Sequence, residues 1–84
     1  MSDEQRSDDR RLILRAREGD RDAYGQLVRR YQRRVYITAL QLTHNAADAE
    51  DLAQEVFVKA YRALPRFDFR SDLFTWLYRI TVNT

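Results

Sequence analysis

The stretch from Asp48 to Leu64, DAEDLAQEVFVKAYRAL, constrains the fold more than any other part of this chain. At about 100° of rotation per residue, Ala49, Leu52, Ala53, Val56, Phe57, Ala60, Ala63 and Leu64 collect into one apolar arc. That arc is the core side of an amphipathic helix, which needs partners to bury it. Asp51, Gln54, Glu55, Val58, Tyr61 and Arg62 fall on the opposite side. Carboxylates and an amide set around an aliphatic and a tyrosine are odd for a face meant only for water, and they point to a large protein partner.

Helical periodicity continues on both sides. Residues 1–7 are polar and aperiodic and read as a disordered tail. Ser7 then caps a short helix with Leu12, Ile13 and Ala16 as its apolar stripe, Asp8 and Asp9 at its positive end and Gly19 as its stop. Asp20 caps the longest helix, Arg21 to Thr43, whose core line is Tyr24, Leu27, Val28, Tyr31, Val35, Thr38, Ala39 and Leu42. Ile37 and Leu40 replace arginines on its outer face late in the helix, so that end is expected to be covered by other helices. His44 and Asn45 break the pattern, and Asn45 with Asp48 resembles a cap for the acidic helix, which Pro65 ends. After the loop PRFDFRS, Ser71 caps a last helix with Leu73, Leu77 and Ile80 as its core line. No stop signal follows Thr84, so the expectation is a helix cut short of its natural end. The fold class is all-α: residues 8–84 as one bundle of about four helices.

An 84-residue chain buries only about 60% of its unfolded surface, which leaves little room for a large pocket. The absence of cysteine removes disulfides and thiol-based metal or redox sites and fits a reducing, cytoplasmic compartment. No apolar run reaches the roughly 20 residues of a membrane span, and the acidic start MSDEQRSDD is no signal peptide. Charge is segregated along the chain. Asp48, Glu50, Asp51 and Glu55 lie together without a cation, whereas Arg29, Arg30, Arg33 and Arg34 precede them. Of the 15 cations only Lys59 is a lysine, a bias that suits phosphate recognition and equally fits a GC-rich genome.

Catalysis has little to stand on. One histidine, no cysteine, no Gly-rich phosphate loop and no metal-ligand spacing leave no catalytic residue, metal site or cofactor to assign. Thr75, Trp76, Arg79 and Asn83, by contrast, share one strip of the last helix and combine stacking, charge and hydrogen bonding. Those are the components of a single-strand nucleic-acid platform, although a bundle tryptophan is also commonly half-buried core. Phe67 and Phe69 beside Arg66 and Arg70 strengthen the nucleic-acid reading, while one of the two rings could plug the end of the bundle. The four arginines of the long helix would attract phosphate or serve simply as a solvated face.

Taken together, DAEDLAQEVFVKAY followed by TWLYRITVN resembles region 2 of bacterial sigma factors of the sigma-70 family, specifically the extracytoplasmic-function (ECF) type. The resemblance extends from Gly19 and Asp20 through Asn83. It implies that Asp51, Gln54, Glu55, Phe57, Val58 and Tyr61 meet the RNA polymerase core at the β′ clamp helices. It also implies that Phe67, Arg70, Ser71, Asp72, Thr75, Trp76, Arg79 and Asn83 recognise and melt the −10 promoter element and hold its non-template strand. An anti-sigma factor is a further implied partner. Family loops commonly read F-R-G-D-S, whereas this chain has Phe67-Asp68-Phe69-Arg70-Ser71, placing phenylalanine at a glycine position and arginine at an acidic one. The resemblance implies a separate region 4 domain that reads the −35 element in the family, and the expectation is that these residues lack it and do not initiate transcription alone. The alternative is a helical protein-interaction domain with no DNA contact.

Overall fold

The computed structural model describes residues 2–84. Four helices, α1 (Asp3–Arg17), α2 (Arg21–Thr43), α3 (Ala46–Ala63) and α4 (Leu73–Asn83), are joined by short connections, with a 3₁₀ turn at Leu64–Arg66. Among the described residues there is no strand, as expected for the all-α class. No helix of the described residues is long and apolar enough to cross a membrane.

The central element is α2, which packs against each of the other helices. Its N-cap is Asp20, whose carboxylate accepts the Ala23 N–H at 3.0 Å. Gly19, at φ +97°, supplies the left-handed residue that lets the chain reverse between α1 and α2. At the far end His44 takes a left-handed conformation, and its N–H closes on the Leu40 carbonyl at 2.8 Å. Asn45 then caps α3 by accepting the Asp48 N–H at 3.0 Å, so the helix starts at Ala46, slightly before the Asp48 of the sequence reading.

Leu12, Ile13, Leu27, Tyr31, Val35, Val56, Ala60, Leu64, Leu73 and Leu77 form the heart of one core. Alanines at 23, 39, 49 and 60 are buried, and their small side chains let the helix backbones approach closely. Thr38 and Thr81 are buried without penalty because each hydroxyl donates back to a carbonyl one turn earlier, Arg34 and Leu77 respectively.

Several expectations are corrected. The tail is not disordered from residue 3 onward: Ser2 caps α1 by accepting the Gln5 N–H at 3.2 Å, and Asp3 and Glu4 sit in the first turn. Met1 lies outside the described residues. A polar segment without apolar periodicity extends a helix that downstream burial has already nucleated, and favourable charges at its positive end assist. The late end of α2 is also more open than expected. Ile37, Leu40 and Leu42 are exposed, because α3 and α4 pack on the Val35, Thr38 and Ala39 side of the helix. Leu42 therefore leaves the core line and Ala23 joins it. The α4 cap is Asp72, one residue later than the predicted Ser71.

Candidate nucleic-acid and protein interfaces

The outer face of α3 is placed as its periodicity dictates. Asp51, Gln54, Glu55, Val58 and Tyr61 are all exposed, while Ala49, Val56 and Ala60 on the opposite arc are buried. Val58 stands out at 50% exposure and Tyr61 at 42%, high for side chains of their size in a small domain. Phe57 is half-buried where α3 meets α2, and its backbone carbonyl accepts the Tyr24 hydroxyl. Burial first, then the neighbouring Tyr61 phenol, push the Tyr24 pKa up, so this hydroxyl stays a donor. Tyr61 meets the Tyr24 ring edge-on at 4.8 Å, which holds its ring while leaving part of it free. Shallow apolar grooves flank Val58 on both sides. One runs past Tyr24 and Tyr61, the other between Gln54 and the Arg33 and Tyr36 side of α2. The exposed residues of this face thus form a surface with two furrows, a shape that suits long side chains from a partner helix.

The second surface follows the C-terminal end of α3. Leu64–Arg66 forms the 3₁₀ turn, and the chain then runs extended through Phe67 before Asp72 starts α4. The Asp72 carboxylate accepts the Thr75 N–H at 2.8 Å. That backbone hydrogen bond holds its pKa below the ordinary 3.8. The stabilisation it brings is present above the unfolded value and is lost as the pH falls through the lower folded value. Asp20 behaves alike through the Ala23 N–H, and Asp8 through Arg30 and then Arg11. Asp72→Ala is expected to cost about 1 kcal/mol at neutral pH, a penalty that shrinks as the solution is acidified below 3.8. Urea midpoints measured across that range check it; a penalty that stays constant into acid would show that the carboxylate is not the cap.

Thr75 and Trp76 are half-buried, and Arg79 and Asn83 are exposed further along the same strip. Phe67 differs from its expected role. It is 4% exposed, part of the core, and packed on Trp76 at 5.1 Å, so it plugs the bundle end and offers no open stacking face. The ring at the rim is Phe69, half-buried and edge-on to Phe67 at 4.9 Å. Phe69 adopts φ +62°, so the family's glycine position keeps a glycine-like backbone while bearing a bulky side chain. Ser71 and Asp72 are half-buried, and Arg70 is fully open, its N–H turned back onto Asp68 at 3.1 Å. Between this loop and α1 lies a cleft of about 340 Å³ whose walls include Arg6, Arg10, Phe67, Phe69, Arg70 and Asp72. It is roomy enough for a planar base and carries three guanidiniums.

The basic face of α2 is divided by tertiary contacts. Arg30 reaches α1 and pairs with Asp8 at 2.6 Å and with Asp9. Arg34 lies 3.8 Å over the Phe74 ring. Arg29 and Arg33 remain exposed. The α1 contributions, Arg6, Arg10 and Arg17, escaped the sequence reading, since nothing in a helix's own periodicity tells which loop its polar side will meet. The one available signal was the phenylalanine at a glycine position, which implied that some neighbour must hold it.

Comparison with known proteins agrees with this arrangement. The Sigma-70 region 2 family profile matches residues 27–84. The chain is 45% identical over 76 residues to the RNA polymerase sigma-H factor of Pseudomonas aeruginosa, covering 90% of this chain and 39% of that protein. Its identity to the ECF RNA polymerase sigma-E factor of Escherichia coli is the same, with the same coverage of each. The chain therefore spans about two-fifths of the length of these relatives. Among solved structures, an engineered region 2 of sigmaE in complex with GTAAAA superposes with a TM-score of 0.83 at 43% identity, covering 99% of this chain and 84% of that one. CnrH in complex with the cytosolic domain of CnrY gives a TM-score of 0.81 at 36% identity, covering 90% of this chain and 49% of that one. With its four helices in the same arrangement and its acidic helix and TWLYRI strip in place, the chain belongs to the sigma-70 family as a region 2 of the ECF type.

Proposed function

We propose that this domain docks on the RNA polymerase core at the β′ clamp helices through the outer face of α3, and holds the melted non-template strand of the −10 element with the loop after Pro65 and α4. Its setting is the cytoplasm and its role is to direct transcription initiation by binding, with no catalytic step. The observation that carries the strand-binding half is the guanidinium-lined cleft beside Phe69, together with the TWLYRI strip. A flipped base would enter the cleft, phosphates would meet Arg70 and Arg79, and the amide of Asn83 would read an edge. The solved relative that holds GTAAAA supports this reading. The docking half rests on Val58 and Tyr61 standing exposed beside Gln54 and among Asp51 and Glu55, acids that select a basic partner.

Fluorescence anisotropy of a labelled single strand carrying GTAAAA tests the strand-binding half. Binding is expected to weaken steeply between about 50 and about 200 mM salt, and Arg79→Ala is expected to weaken it and flatten that slope by about one counterion. Binding indifferent to both salt and Arg79 would leave only a protein-interaction domain. An anti-sigma factor is the natural further partner, as the complex of CnrH with the cytosolic domain of CnrY suggests. The exposed side chains Ile37, Leu40, Tyr78 and Val82 offer apolar surface away from the α3 face for such a contact.

A further inference from the structure

The loop proposed to receive the strand is held from outside by α1. Arg17 donates from Nε to the Leu64 carbonyl at 3.0 Å and from Nη2 to the Phe67 carbonyl, bracing both ends of the turn that leads into the loop. Its guanidinium carbon lies 5.1 Å from the centre of the Phe69 ring, and that of Arg10, two turns earlier on the same side of α1, lies 4.4 Å from it. Phe69 is the residue in the left-handed conformation at φ +62°. A bulky side chain adopts that conformation only where its surroundings over-determine it. Here the surroundings are two guanidiniums and the edge of Phe67.

We propose that Arg17 is a positioning residue for promoter recognition: with Arg10 it locks Phe69 and so preforms the loop before any strand arrives. The inference rests on the strand-binding function proposed above. Its physical consequence is that the ordering cost of residues 67–71 falls on folding rather than on binding, so that affinity and base discrimination depend on a helix that makes no sequence-reading contact through Arg17. A lysine at position 17 would keep the charge but could not brace two carbonyls with a planar fork.

Two measurements on the 84-residue chain decide the matter. In the free protein, ¹⁵N relaxation is expected to find residues 67–71 as rigid as the helices, and in Arg17→Lys their order parameters are expected to drop below about 0.6. In strand binding, Arg17→Lys is expected to reduce discrimination between GTAAAA and its single-base variants by about fivefold, with the salt slope unchanged because the charge is kept. Should the Lys variant fail to fold, Arg10→Lys, which keeps the charge at an exposed position but loses the planar guanidinium over Phe69, carries the same two readouts. A loop that stays ordered in the variant, or discrimination that does not move, overturns the positioning role of Arg17. If the wild-type chain binds no strand at all, the proposed function falls, and the relaxation data still decide whether Arg17 orders the loop.

Discussion

Replacing Asp9 with alanine is expected to lower the unfolding free energy by about 3 kcal/mol, the scale of removing one partner from a buried charged network. Asp9 is 3% exposed, although Asp3 and Glu4 on the same helix face water. Its carboxylate accepts the Tyr31 hydroxyl and a guanidinium nitrogen of Arg30, tying α1 to the middle of α2. Tyr31 is fully buried, and desolvation followed by its hydrogen bond to Asp9 pushes its pKa up, so it remains a donor in need of an acceptor. Without the carboxylate, that hydroxyl is stranded in the core while Arg30 keeps only Asp8. A domain of this size commonly has only about 5–10 kcal/mol of stability in total, so the loss is large. Urea denaturation provides the measurement, with the midpoint falling and the slope unchanged. The double replacement Asp9→Leu with Tyr31→Phe removes donor and acceptor together and is expected to recover much of the loss. A midpoint in Asp9→Ala equal to that of the wild type would show that the network contributes nothing.

Tyr61→Ala is expected to weaken binding of the domain to an isolated β′ clamp-helix coiled coil by about thirtyfold, the effect of losing one aromatic anchor worth about 2 kcal/mol. The side chain is 42% exposed, and its aromatic partner within the domain is Tyr24. The fold should therefore lose only about 1 kcal/mol from the missing ring pair. Asp51→Ala is expected to act differently, slowing association and reducing its salt dependence, because a rim charge steers encounter more than it holds the complex. Titration calorimetry and stopped-flow association separate the two effects. An unchanged Kd in a folded Tyr61→Ala variant would remove the α3 face as the docking surface.

Most of the α3 face was legible from residue spacing alone, because a helix's two sides are set by its own rotation of about 100° per residue. The same holds for the Asp20 and Asn45 caps, where a short polar side chain and the N–H three residues on are local partners. The loop was legible only in composition. Phe67 and Phe69 look equivalent in sequence, yet one fills the bundle end and the other rims the cleft, a choice made by what α4 and α1 present to them. The arginines of α2 divide in the same way, Arg30 and Arg34 being taken up by α1 and Phe74 while Arg29 and Arg33 stay free.

By itself, then, the sequence determined the helical class, the buried stripe of α1, the two faces of α3 and the family to which the chain belongs, since periodicity, capping and motif all act over a few residues. Only the tertiary structure decided that α1 begins at Asp3, that Asp9 is buried, and that Arg17 and Arg10 contact the turn and loop after α3. The reason is sequence separation: the bond from Arg17 to Leu64 spans 47 residues and that from Tyr31 to Asp9 spans 22. Contacts of that range leave no periodic trace in the chain and exist only once the bundle has closed.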